Sequence, residues 1–373
     1  MTAHAKLSAS GSAKWLNCPG SIKAEESFPD KSSSFADEGT VAHATAERIL
    51  EGALPSELLG TFPVKGINIS VSQDMLDNVQ VYVDYVRSLP GERLIEVRVD
   101  FSDWVPEGFG TSDAIVINGT TMFIVDLKYG KGVPVYAESN TQAMLYGLGA
   151  LADYGAIYDI RDIVLVIVQP RLDNISEWEI STPDLLRWGH WVAERAELAL
   201  TDDAPRNPGE KQCQWCKAKA TCSALLDLTH KALASEFDDL CDTNTLTDSQ
   251  LKFVLENKKL ISSWLEAVEE LVQNRLFSGG VFEGYKLVEG RSTRSWKSED
   301  AVAPVLSALL DEDQVYSKKM ITPAQAEKLL GKKNSALIVD HIDKPEGKPT
   351  LALSSDKRPA VNVDPNSFDV FNS

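Results

Sequence analysis

Cysteine and histidine are scarce in this chain, five of each in 373 residues. So few cysteines, four of them in one pattern, fit a reducing compartment better than a disulfide framework. No apolar run approaches the ~20 residues of a membrane-spanning helix; the longest strongly apolar stretch is Ile163 to Val168. The N-terminus lacks a basic segment followed by an apolar one, so no signal peptide is expected. A Walker A pattern is missing too, which argues against an ATP-driven motor within the chain. Positive charge is outnumbered, 37 Lys and Arg against 55 Asp and Glu, for a net charge of −18. That balance opposes coating a duplex through one broad basic surface, because nonspecific affinity comes largely from neutralising phosphates. It leaves room for a narrow basic channel, or for a site whose metal ions supply the positive charge. What is present is globular: 43% hydrophobic and 25% charged residues, in a chain long enough for a large core and more than one folding unit.

Periodicity predicts an alternation of helices and strands. Helices are expected over Phe35–Leu50, Gln73–Leu89, Glu138–Tyr154 and Pro183–Leu200, where apolar residues recur at helical spacing. Ser12 is a candidate cap for a short helix ending before Pro19, and Thr182 for the helix that starts at Pro183. Strands are expected over Leu94–Phe101, Asp162–Gln169 and Trp178–Ile180. In the first of these, Glu96, Arg98 and Asp100 would face opposite to Ile95, Val97 and Val99. Between Gly110 and Gly130 two β-branched, apolar runs flank Asn118-Gly119, which reads as a hairpin. A long helix is expected over Gln250–Leu276, then a strand over Phe282–Glu289, helices over Glu299–Leu310 and Pro323–Leu330, and an extended tail after Lys344.

The hairpin carries the chemistry. Asp113 interrupts its first strand, and Asp126 and Lys128 share a face at the end of its second. Two carboxylates and an amine so placed can bind a divalent cation and hold an attacking water. Mg²⁺ and Mn²⁺ are the hard cations that prefer such oxygen ligands, and an added His43 would favour Mn²⁺. His43 and Glu47 lie one turn apart on a helix face, as do Gln142 and Tyr146.

Taken in order, His43 in Glu38-Gly39-Thr40-Val41-Ala42-His43, Asp113 in Gly110-Thr111-Ser112-Asp113, Asp126-Leu127-Lys128, and Gln142 with Tyr146 form a combination that resembles the RecB-like branch of the PD-(D/E)XK nuclease superfamily. The chain looks like a phage-type member, similar to the DUF2800 family, and the resemblance covers roughly 15–225. It implies an α/β, restriction-endonuclease-like core with a mixed central β-sheet flanked by helices, plus a mainly helical C-terminal region. It also implies a metal held by His43, Asp113, Asp126 and the Leu127 carbonyl. Lys128 would position water and stabilise charge, Gln142 would orient Lys128 or the substrate, and Tyr146 would contact DNA. Glu47 would orient His43 or act as an outer acid.

Cys213-x₂-Cys216-x₅-Cys222 follows the core, with Cys18 almost 200 residues upstream. Four thiolates can hold zinc or a [4Fe–4S] cluster. The spacing resembles the iron–sulfur staple of AddB-like and Cas4-like nucleases, which makes an iron–sulfur cluster the expectation, zinc the alternative, and plain buried or free thiols the third reading. Trp15 and Trp215 are read as packing residues near this segment, and Cys241 as a lone thiol.

The expected organisation is an N-terminal arm, 1–34, contributing Cys18; a nuclease core, 35–204; a cysteine segment, 205–235; and a mainly helical region, 245–373. The implied activity is a metal-dependent DNA exonuclease or end-processing nuclease in phage DNA metabolism or recombination. Its partners would be DNA, single-stranded or at ends, and a separate helicase or recombination protein, with no membrane; its location would be the cytoplasm, that of an infected host if phage-encoded. A noncatalytic DNA-binding or assembly protein and an RNA-processing nuclease are the competing readings.

Overall fold

A computed structural model describes residues 5–29, 34–234 and 248–286, all within one unit, Met1–Val288. Two short helices open it, α1 (Ser12–Trp15) and α2 (Ser21–Glu25), followed by α3 (Ser34–Leu50), α4 (Pro55–Leu58) and α5 (Gln73–Ser88). Then come β1 (Glu92–Asp100), β2 (Phe109–Asn118), β3 (Thr121–Leu127), α6 (Thr141–Tyr158), β4 (Asp162–Gln169), β5 (Asn174–Ser181) and α7 (Thr182–Ala199). Three helices follow: α8 (Glu210–Gln214), α9 (Ser223–Ala234) and α10 (Asp248–Phe277).

The five strands form one mixed sheet in chain order. β3 and β4 are parallel, joined through α6, while the other neighbours are antiparallel. A parallel pair needs such a crossover and is covered on both faces, which is why β4 reads as a continuous apolar run with only its first residues less than buried. On one face Ile115, Ile124, Leu165 and Ile167 pack against α1, α6 and α7; on the other, Val116, Val125, Val166 and Val168 pack against α3 and α5. Each such side chain stabilises by about 1.5–3 kcal/mol on burial. The result is a helix–sheet–helix sandwich, with a more helical part after residue 200.

Local chemistry moves several boundaries. The Asn140 side chain accepts from the Ala143 N–H at 3.1 Å, so α6 starts at Thr141 rather than near Glu138. Ser181, not Thr182, caps α7, accepting from the Asp184 N–H at 3.3 Å. Ser12 is inside α1 and bonds Thr141 across 2.7 Å instead of capping. In the hairpin, Asn118 pairs with Thr121, so the turn is Gly119-Thr120; Gly119 at φ +60 stands where a two-residue turn needs glycine. Residues 281–286 form a turn rather than a strand. The expected elements at 287–289, Glu299–Leu310 and Pro323–Leu330, the tail after Lys344, and Cys241 lie outside the described residues. No helix among the described residues is long and apolar enough to cross a membrane.

Candidate metal centre

The site lies where β2 and β3 part. Their ladder ends at Ala114–Val125; one further step would set Asp113 opposite Asp126. Instead Asp113 Oδ2 accepts the Leu127 N–H at 2.7 Å, so the carboxylate supplies the acceptor that the backbone would otherwise need. On the other side of β2, Ile95 pairs with Ala114 and Val97 with Ser112, which leaves Glu96 opposite Asp113. Glu96, Asp113 and Asp126 therefore occupy one row across three adjacent strands.

Glu96 has a left-handed backbone, φ +48, unusual for a residue with a Cβ. The alternation of β1 breaks there: Leu94 and Val97 pack on the same face of the sheet and Ile95 on the other. From α3, His43 places Nδ1 3.2 Å from Asp113 Oδ1. One ligand atom each from His43, Glu96 and Asp113 come within 4.8 Å of one another, and among the described residues this is the one such His/Cys/Asp/Glu group. Glu47, Tyr82 and Leu127 line the same recess.

A second set of contacts extends from Asp126. Lys128 donates to Asp126 Oδ1 at 3.1 Å and to Gln142 Oε1 at 2.9 Å, and Gln142 Nε2 donates to the Tyr146 hydroxyl at 3.2 Å. Asp126 Oδ2 is 2.8 Å from the same lysine nitrogen, yet out of line for a hydrogen bond, and it has no hydrogen-bond partner. The buried hydroxyls of Tyr82 and Ser112 are likewise unpartnered. Gly110 makes room for the Tyr146 ring: a Cβ there would meet Tyr146 Cε1 at 2.6 Å.

The charges constrain one another. Burial would depress His43, but the charge and hydrogen bond of Asp113 outweigh it and hold the imidazole up at about 9. Burial, with Asp113 adding to it, pushes Glu96 up to about 7. Asp113 resists burial and stays below the usual carboxylate range because of His43, whereas Asp126 is raised by burial and by Asp113 against the pull of Lys128. Lys128 opposes its own burial through Asp126 and is held above the usual lysine range. Near neutral pH, protons on His43 and Glu96 thus balance a surplus of buried negative charge. A divalent cation can take over that task, since ligands must shed protons to bind it. Two carboxylates and an imidazole suit Mn²⁺, and Mg²⁺ with its preference for oxygen; Tyr82, whose hydroxyl has no partner, lines the same recess.

Of the residues singled out in the sequence, the structure brings His43 and Asp113 together and links Asp126, Lys128, Gln142 and Tyr146. It does not bring Asp126 into the three-residue group, and the contact it gives Leu127 is through the N–H. Glu96 and Tyr82 were missed. The pairing of β1 with β2 would have put Glu96 beside Asp113, but the backbone break that turns it has no sequence signal.

The four cysteines are different, and here the expectation of an iron–sulfur or zinc centre is corrected. Cys18, Cys213, Cys216 and Cys222 are free thiols, and among the described residues they form no metal-ligating group. Cys213 and Cys222 pack with Leu225 and Leu260, as small apolar groups do. Burial raises the Cys18 and Cys213 thiols and pushes Cys216 up to about 12, so they keep their protons. The N-terminal arm is joined to this segment by hydrogen bonds: Asn207 N–H to Cys18 Sγ at 3.3 Å, Gly20 N–H to the Pro205 carbonyl at 2.9 Å, Asn207 Nδ2 to the Asn17 carbonyl at 3.0 Å, and Lys217 N–H to Glu25 at 2.7 Å. Trp15 is buried, whereas Trp215 is exposed rather than packed.

A family model described as "Protein of unknown function (DUF2800)" matches residues 4–359. Among solved structures, the crystal structure of SSO0001 is similar over 58% of this chain and 85% of its own, at 18% identity and a TM-score of 0.28; a likeness of that size carries no argument. The likeness to the DUF2800 family is thus the part of the resemblance that the family model supports, whereas the RecB-like, AddB-like part is not upheld: the cysteine centre on which it partly rested is absent among the described residues. The chain belongs to the DUF2800 family.

Proposed function

We propose that the protein is a metal-dependent phosphodiester hydrolase that acts on DNA as an exonuclease or end-processing nuclease. The supporting observation is the row of Glu96, Asp113 and Asp126, flanked by His43 on one side and by Lys128 on the other. Mg²⁺ or Mn²⁺ held by His43, Glu96 and Asp113 would supply Lewis acidity and charge neutralisation at a phosphate oxygen. Without a cation, the acid row repels a phosphodiester.

The chain's own groups divide the remaining work. Lys128, kept protonated by Asp126, is a donor for charge developing on the phosphoryl group rather than a free base. Gln142 fixes the amine of Lys128, and Tyr146 fixes Gln142. Asp126, its carboxylate raised by burial against the pull of Lys128, is the acceptor for the proton of an attacking water. Glu47 supports His43 from the same helix. Phage DNA metabolism or recombination, with a separate helicase partner, is the setting this activity fits.

The test is cleavage of end-labelled DNA with and without Mn²⁺ or Mg²⁺, with Asp126→Asn alongside. Cleavage that requires the cation and is lost in the variant supports the reading; cleavage that is unchanged in the variant contradicts it. The net charge of −18 together with the long C-terminal extension motivates a second reading, a noncatalytic DNA-binding or assembly protein. DNA binding without cleavage under every cation condition would decide for it.

A further inference from the structure

The chain from Tyr129 to Asn140 leaves β3 beside Lys128 and enters α6 beside Gln142, so both its ends belong to the acid-row site. Its middle is held by polar groups of the sheet. Gln169, at the end of β4 and only 1% exposed, donates to the carbonyls of Gly130 at 2.8 Å and Val133 at 2.9 Å, and accepts the Val135 N–H at 3.0 Å. Asn174 donates to the Val135 carbonyl at 2.8 Å, Ser176 accepts the Ala137 N–H at 3.0 Å, and Asn140 donates to the Tyr136 carbonyl at 3.2 Å. The backbone on both sides of Tyr136 is therefore fixed.

What this rigid frame presents is apolar. Tyr136 is 61% exposed and Val133 50% exposed, and Lys131 of the same segment is exposed with no ion pair among the described residues. Holding a loop with a buried glutamine is costly unless its geometry matters. An exposed aromatic ring on a fixed backbone, with an exposed lysine in the same segment, offers a base-stacking face and a phosphate contact. Duplex bases already stack on each other; single-strand bases have faces to give.

We infer that the 129–140 segment is a binding platform for single-stranded DNA at the mouth of the acid-row site, with Tyr136 stacking on a base and Lys131 contacting the backbone. The inference rests on the reading of DNA as substrate and names the form of it that is recognised. The experiment is fluorescence anisotropy of the full chain with a labelled oligothymidylate strand and, separately, a blunt duplex of equal length, with Ca²⁺ as the cation. Tyr136→Ala is expected to weaken strand binding on the order of tenfold, Tyr136→Trp to restore it, and the duplex affinity to stay as in the wild type. Strand binding unaffected by Tyr136→Ala, a Tyr136→Trp protein as weak as Tyr136→Ala, or equal losses on strand and duplex would each overturn the platform. Tyr136-dependent strand binding in a protein that cleaves nothing would count against the hydrolase reading and leave the platform standing.

Discussion

Two regions of this molecule gather metal-binding residue types from distant parts of the chain, and they end differently. In the acid row, sheet register places Glu96, Asp113 and Asp126 side by side where β2 and β3 part. Their charge is balanced by His43 and Lys128 and by protons, and oxygens remain without partners. In the cysteine segment, hydrogen bonds of the backbone and of the Asn207 and Glu25 side chains tie the N-terminal arm to residues 205–217. Burial raises the Cys18, Cys213 and Cys216 thiols, and Cys213 and Cys222 pack among leucines. Ligand types at a suggestive spacing do not make a site; unbalanced charge held in place by rigid elements does.

The comparison can be broken most sharply by substitution. Asp113→Asn removes the charge that holds His43 and should reduce cation-dependent cleavage by at least about 10²-fold. Cys213→Ser should leave cleavage within about twofold, since its thiol packs away from the acid row. A steady-state assay of both variants checks this, and equal losses would erase the distinction between the regions. Gln142→Ala should lower kcat by roughly 10- to 100-fold through the loosened Lys128, with KM little changed; a change confined to KM would give Gln142 a substrate-binding role instead.

Packing gives a smaller effect. Gly110→Ala drives a methyl into the Tyr146 ring and should cost about 1–3 kcal/mol, read as a lower Tm. An unchanged Tm would mean that the ring has room to move. The smallest effect concerns pH. Glu96 is raised from its ordinary 4.5 to about 7, so its contribution to stability is full below 4.5 and is lost as pH rises through about 7. His43 is raised from 6.5 to about 9, so its contribution is full below 6.5 and is lost as pH rises through about 9. Both act in one direction: the metal-free protein should melt lower at pH 9 than at pH 6, and Mn²⁺ should narrow that gap. Melting curves at the two pH values, with and without Mn²⁺, test it.

Much of this was legible in the residues themselves. Apolar spacing locates α3, α5 and α7 to within a residue or two, because their buried faces are regular. The hairpin and its acidic interruptions follow from alternation, and His43, Lys128 and Gln142 join them in the structure. Glu96 escaped because strict alternation assigns it to the face of Arg98, while one left-handed residue reverses the phase of β1. The cysteine spacing misled for a physical reason: sequence distance says nothing about whether a thiol meets a metal or a leucine.

Calorimetric titration with Mn²⁺ tests the central claim most directly, because it reads the cation and not the reaction. One equivalent should bind to the wild type and to Cys18→Ser, with proton release, and binding should be lost in Asp113→Asn and strongly weakened in Glu96→Gln. Undiminished binding in Asp113→Asn, or binding lost in Cys18→Ser instead, would contradict the acid row as the metal centre.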